Sequence, residues 1–156
     1  MAFRRIRRPK SQEHIYKELT DTDEFGIFQS YKDLFMMAGI VGFVEKKRKS
    51  FEGSLEGINW NIFNLDTDEA IINVIALNET GDQSIINTID SDSFDRKITI
   101  YEEYAAGGAE VLYSKLKDHP RNAIDVLYEY MLSMEKVKSE SDRDVDDIRK
   151  IILSFD

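Results

Sequence analysis

The chain has 156 residues, 42% of them hydrophobic, which is enough for one domain with a substantial core and too few for two. It has no cysteine, which excludes disulfides, thiolate-held zinc, iron–sulfur clusters and a thiol nucleophile, and no run approaches the roughly eighteen apolar residues of a membrane span. The net charge of −9 is unevenly spread: residues 1–50 hold eleven Lys/Arg against seven Asp/Glu, and the remainder ten against twenty-three. With no apolar run behind the basic N-terminus, an unexported, cytoplasmic protein is expected.

In chain order, the first ten residues concentrate Arg4, Arg5, Arg7, Arg8 and Lys10 and read as a basic flexible arm ahead of a helical domain over 11–156. Ser11, after Pro9, opens a short amphipathic helix with Ile15 and Leu19 four residues apart on one face. The polar Thr20–Glu24 turn ends it. Apolar residues at Phe28, Tyr31, Leu34, Phe35, Ala38 and Val41 then predict a helix over 25–44. From Leu34 nearly every side of it is apolar, which marks the buried central helix. A second basic cluster, Lys46, Lys47, Arg48 and Lys49, follows immediately.

Glycines at 53 and 57 break helix, and Ile58, Trp60 and Ile62 alternate with asparagines, so a short β hairpin around 51–64 is allowed. Asp66 or Thr67 is placed to cap a helix from Asp68 to about Asn78, ended by Gly81. Gln83–Ile89 reads as one more short helix and SDSFD as a loop. Asp95–Asp118 is the most strongly periodic segment, with a core stripe of Ile98, Tyr101, Ala105, Ala109, Leu112 and Leu116. Gly107 and Gly108 lie in its middle, where each costs roughly 1 kcal/mol relative to alanine, so either a second backbone passes closely or the helix bends. Pro120 suits the first turn of the next helix, with Leu127, Tyr130, Met131, Met134 and Val137 on the face that packing sends to the core. Ser141 and Asp144 form a capping box for a last helix striped by Val145, Ile148, Ile152 and Phe155. The fold class is mainly α: one helical domain of about six helices.

Catalytic chemistry finds little support in these residues. His14 and His119 stand near helix ends without the i,i+4 partner of a zinc site. GxSxG, GxGxxG and GxxxxGK[ST] patterns are all missing from the sequence. Asp90, Asp92 and Asp95 fail as a calcium loop because Phe94 and Asp95 stand where an oxygen ligand and a glycine are needed. Asp142, Asp144, Asp146 and Asp147 suit a solvated first helical turn. Asp33 with Glu45, Lys46 and Lys47 loosely meets the acid and Glu-x-Lys pattern of a metal-dependent nuclease, but Asp33 lies in a helix rather than on a sheet border. No catalytic residue, metal or cofactor is assigned. The candidate chemistry is electrostatic: Arg4, Arg5, Arg7, Arg8, Lys10, Lys46, Lys47 and Arg48 are the places able to contact phosphates on an otherwise acidic body.

Four segments, RRIRRPK (Arg4–Lys10), YKDLFMMAGIVGF (Tyr31–Phe43), IINVIALNETGD (Ile71–Asp82) and IYEEYAAGGAEVL (Ile100–Leu112), taken in this order, resemble the small family of proteins associated with Dnd systems. The resemblance covers Arg4 to about Leu132, and it departs from the family pattern at Ala106, which stands where the family is expected to carry an asparagine before the glycine pair. Such systems replace a non-bridging phosphate oxygen of bacterial DNA with sulfur and can couple that mark to restriction of unmarked DNA. The resemblance therefore implies an accessory, non-enzymatic role in anti-phage defence, with modification or restriction proteins of the system as partners. Duplex DNA is the second expected partner. The candidate partner-contacting residues are Glu102, Glu103, Tyr104, Gly107 and Gly108, within the segment that carries the resemblance. A protein-only adaptor or inhibitor, using the acidic body to bind a defence enzyme, is the competing expectation. Homo-oligomerisation is left open.

Overall fold

Two helices cross at glycines, and the other described elements are arranged around that crossing. The computed structural model describes residues 4–87, 89–135 and 152–153. Its helices are α1 (Glu13–Leu19), α2 (Tyr31–Val44), α3 (Asp68–Thr80), α4 (Ser91–Leu116) and α5 over 123–135, with short 3-10 turns between them. The protein is mainly helical, and among the described residues there is no strand beyond two isolated antiparallel bridges.

The α2–α4 interface is the most extensive in the molecule. A methyl group added at Gly108 would stand 1.7 Å from the Ala38 carbonyl oxygen, and one at Gly42 would stand 1.9 Å from that of Tyr104. The two backbones therefore touch at Gly108, while Gly107 faces the Lys47 carbonyl just beyond α2. Around the crossing, Leu34, Phe35, Ala38 and Val41 of α2 meet the α4 stripe Ile98, Tyr101, Ala105, Ala109, Leu112 and Leu116, and all of these are buried. Tyr101 donates to the Met36 carbonyl at 2.5 Å, so its hydroxyl is satisfied inside the core. An aromatic cluster extends the core outward: Phe35 packs on Tyr101 and Phe63, with Trp60 stacked on Phe63 and edge-on to Phe94.

Several predicted boundaries shift for identifiable reasons. Helix α2 starts at Tyr31 rather than near 25, because Gly26 turns the chain at φ 67° and Ser30 is the N-cap, its Oγ accepting from the Asp33 amide at 3.2 Å. Such a cap stabilises by about 1 kcal/mol. SDSFD is the first turn of α4 and not a loop: Asp90 caps it, accepting from the Asp92 amide and the Ser93 hydroxyl. At the start of α3 neither Asp66 nor Thr67 caps through its side chain; Asn64 does the work, accepting the Asp68 and Glu69 amides on its carbonyl oxygen and the Asp66 and Thr67 amides on its side chain. Gln83–Ile86 is a 3-10 turn only.

The 51–64 region forms no hairpin with itself. Its partner is the N-terminus, through bridges Ile6 to Ile58 and Pro9 to Ser54. Trp60–Ile62 is a 3-10 turn, which rotates successive side chains by a third of a turn, so Trp60 is buried while Ile62 is 55% exposed. Leu127 and Tyr130 of α5 face the core as expected, and Met134 packs beside them. Met131, turned by about 100° from Tyr130, is exposed. The expected last helix, with Ser141, Asp144, Val145, Ile148 and Phe155, lies outside the described residues, as do Val137 and the acids Asp142, Asp146 and Asp147; Ile152 is exposed.

Candidate nucleic-acid interface

The second basic cluster is built by the way α2 ends. Lys46 donates its amide to the Phe43 carbonyl at 3.2 Å and Lys47 donates to that of Gly42 at 2.8 Å, the paired bonds of a Schellman stop. Lys46 occupies the left-handed position at φ 56°, where glycine is usual. A side chain there costs roughly 1 kcal/mol, offset in part by a cation at the negative end of the α2 dipole. The chain then runs flat against α4: the Lys47 carbonyl fills the space a methyl group on Gly107 would need, and the Lys49 amide donates to Glu103 O at 2.9 Å.

Between this turn and α4 lies an open cleft of about 590 Å³ whose wall carries Lys46, Lys47, Arg48, Lys49 and Lys115 against two acids, Glu45 and Glu110. Lys46 and Lys47 are exposed and have no ion-pair partner among the described residues. Lys49 is paired with Glu110, both about half exposed. Lys115 lies over the Tyr130 ring at 4.3 Å, and Tyr130 donates to Glu45 at 2.5 Å. That phenol is pushed up by burial and then by the Glu45 carboxylate, so it stays a donor. Arg48 reaches Glu103 at 2.7 Å and Glu79 at 2.8 Å. Burial works against its charge, but the hydrogen bonds and charges of Glu103 and Glu79 outweigh it and hold the guanidinium above its ordinary pKa. Tyr104 completes the chain by donating to Glu79 at 2.5 Å, its own pKa pushed up to about 12 by burial and then by Glu79.

The N-terminal cluster is placed differently from expectation. Residues 4–10 are not a free arm: Ile6 is fully buried and exchanges both backbone hydrogen bonds with Ile58 at 2.8 Å, and Lys10 donates its amide to Gly53 at 3.0 Å. Arg4 grips the buried Glu102 through two bonds of 2.9 Å and reaches Asp95 at 3.3 Å. Arg8 is buried, its guanidinium 4.5 Å from the ring centroids of both Tyr16 and Tyr31, and burial lowers its pKa. An apolar anchor at 6 and a buried acid needing a cation together fix the segment. Arg5 donates to Gly57 O, and Arg7 donates to Glu52 O while covering Phe51; Arg5, Lys10 and Lys46 to Lys49 keep exposed positions. Both basic segments cross the same stretch of α4. The Arg7 amide donates to Glu102 and the Gln12 amide nitrogen to Ala106 O, beside Lys49 on Glu103.

The same contacts account for the residues expected to meet a partner. Glu102, Tyr104, Gly107 and Gly108 are buried and used within the chain, by the N-terminal clasp, the Glu79 bond, the Lys46–Lys49 turn and the α2 crossing respectively. Glu103 is partly exposed, on Arg48. The loose nuclease pattern does not converge, since Asp33 and Glu45 stand at opposite ends of α2, about 18 Å apart at 1.5 Å per residue. His14 packs edge-on to Tyr113 at 5.1 Å, and among the described residues no group of three or more His, Asp or Glu side chains is arranged to hold a metal ion. Sequence reading missed Lys97, which is 0% exposed and donates to Glu69 at 3.2 Å and Asn73 at 2.9 Å. Its signal was its place three residues after Phe94 on the buried stripe. It also missed the carboxylates Glu79 and Glu110, whose partners are distant in sequence.

No helix among the described residues is long and apolar enough to cross a membrane. Comparison with curated proteins and with solved structures finds no significant match. Residues 5–150 do match a protein family, a longer span than the expected end near Leu132, taking in the acidic segment that follows. The chain belongs to the family described as DNA sulphur modification system-associated protein 4, which gives the four-segment resemblance its context.

Proposed function

We propose that the protein is a non-enzymatic accessory factor of a DNA sulphur modification system that contacts DNA phosphates through the Lys46–Lys49 turn and docks subunits of the system. The single observation that carries the reading is the cleft beside α4, where two lysines without an ion-pair partner among the described residues gather with three further cations on a protein of net charge −9. Phosphate contacts of this kind position a protein on DNA without reading sequence. Of the eight cations, Arg4, Arg8 and Arg48 are held by acids or aromatic rings, and Arg5 and Arg7 bond to the backbone of the 52–57 segment, so Lys46 and Lys47 lead, with Arg5, Arg7 and Lys10 secondary. The test is titration of fluorescent duplex, with and without phosphorothioate, at two salt concentrations. Binding that weakens with salt supports the reading, and preference for the sulphur-marked duplex would make the protein a reader of the mark. Absence of binding at low salt overturns direct DNA contact.

A second reading, that of a protein-only adaptor or inhibitor, is favoured by one observation. Helix α5 exposes Ile124, Tyr128, Met131 and Leu132, spaced four, seven and eight residues apart and so on one face, with Ile124 and Tyr128 each 64% exposed. Loss of binding to a purified modification or restriction protein in Tyr128→Ser/Leu132→Ser, with DNA absent, supports it.

A further inference from the structure

The cations of the cleft differ in how firmly they are held. Arg48 is fixed by two carboxylates, one of them Glu103, whose side chain is 18% exposed, with Tyr104 bracing the other. Lys49 has a rigid backbone, its amide bonded to Glu103 O, but a side chain about half exposed and paired with the equally exposed Glu110. An exposed pair of that kind contributes only about 0–1 kcal/mol, so a phosphate can replace the carboxylate at little cost. Glu110 lies in the same cleft as Lys46 and Lys47, which have no ion-pair partner among the described residues. Its carboxylate therefore sits within the field that a phosphodiester chain would enter.

We propose that Glu110 is an internal stand-in for a DNA phosphate: it holds Lys49 in the free protein and yields it to the backbone on binding, so that Glu110 sets the affinity of the cleft for phosphodiester chains. The inference rests on the phosphate-contact reading and adds a regulating residue to it. Arg48, in contrast, stays with Glu103 and Glu79 in both states and acts as a positioning residue for the turn. Binding then releases one more counterion equivalent from the DNA than the unpaired lysines alone would displace, while the freed Glu110 carboxylate opposes the complex.

The experiment is duplex titration at two salt concentrations with wild type, Glu110→Gln, Glu110→Gln/Lys49→Ala, Lys46→Ala/Lys47→Ala and Glu24→Gln. The last makes the same charge change at an exposed residue of the 21–25 turn. The expected result is that Glu110→Gln binds about two- to five-fold more tightly than Glu24→Gln, the range an exposed ion pair allows. The gain disappears when Lys49 is also removed. If wild type binds and Lys46→Ala/Lys47→Ala weakens it, but Glu110→Gln matches Glu24→Gln, the stand-in role is overturned and the phosphate-contact reading stands. If neither wild type nor Glu110→Gln binds at low salt, both fall.

Discussion

Gly108→Ala separates two opposed effects of one methyl group. Helix propensity alone favours alanine by about 1 kcal/mol at this mid-helix position. Packing opposes it, because the added carbon would lie 1.7 Å from Ala38 O and 2.6 Å from Gly42 N, both backbone atoms of α2. A carbon and a carbonyl oxygen approach no closer than about 3.3 Å, so the helices must part by more than 1 Å at their crossing. No rotamer change relieves this, and the parting loosens Phe35 against Tyr101 on one side and Tyr104 against Phe43 on the other. Overpacking of this sort costs about 1–3 kcal/mol or more, and with backbone on both sides the upper end applies, leaving a net loss of roughly 2 kcal/mol after the propensity gain. For a chain of this size that lowers Tm by about 4–8 °C. Thermal and urea unfolding followed by circular dichroism measure it. Gly81→Ala is the comparison: nothing lies within 4 Å, and only its φ of 67° resists the change, so about 1 kcal/mol is lost. A Gly108→Ala protein as stable as wild type, or more so, would refute the close-crossing argument.

Three further outcomes follow from the internal ion pairs. Glu102→Gln weakens the double grip of Arg4 and the bond from the Arg7 amide; a loss of about 2 kcal/mol in urea unfolding is expected, below the full value of a buried pair because Arg4 is partly exposed, with faster amide exchange at Ile6 and Ile58. A change under about 0.5 kcal/mol, the range of ordinary surface substitutions, would count against the clasp. Lys97→Met leaves Glu69 without its cation and costs about 3 kcal/mol, whereas Lys97→Met/Glu69→Met recovers most of it, since a buried pair replaced as a unit is close to neutral; equal losses in the two proteins would contradict this. Glu79 is held below its ordinary value of 4.5, first by the hydrogen bond from Tyr104 and then by Arg48. The unfolded chain therefore takes up the proton first as pH falls, so this contribution is complete above about pH 5 and is lost as pH drops through the folded value. Stability measured against pH should flatten in that window in Glu79→Gln, and an unchanged profile would remove Glu79 from the account.

The helices were legible because their signal is local. The stripe from Ile98 to Leu116 and the apolar run of α2 follow the 3.6-residue period, and the glycine pair at 107–108 pointed to a close backbone or a bend; the backbones that approach are those of Ala38 and Gly42 at Gly108 and of Lys47 at Gly107. Caps were read less well. Asn64 and Asp90 compete with neighbouring Asp and Thr residues of equal intrinsic capacity, and only backbone geometry chooses among them. The basic N-terminus was misread as an arm because composition cannot show that Ile6 finds Ile58 across fifty residues, or that Glu102 requires Arg4. For the same reason the sequence located the cations of the candidate interface but not which of them stay unpaired. Arg48 and Lys46 are two residues apart in one basic run, yet one is clamped by two carboxylates and the other, at a strained turn, has no ion-pair partner among the described residues.

In the proposed function the Lys46–Lys49 turn, and not the N-terminal arginines, carries the DNA contact. The salt dependence of duplex affinity tests it most directly, compared among wild type, Lys46→Ala/Lys47→Ala and Arg5→Ala/Arg7→Ala. Each phosphate contact contributes about 0.9 to the slope of log affinity against log salt. Loss of about 1.8 from that slope in the lysine variant, with a smaller change in the arginine variant, is the predicted result. An unchanged slope in Lys46→Ala/Lys47→Ala, with the loss falling on Arg5→Ala/Arg7→Ala instead, would contradict it.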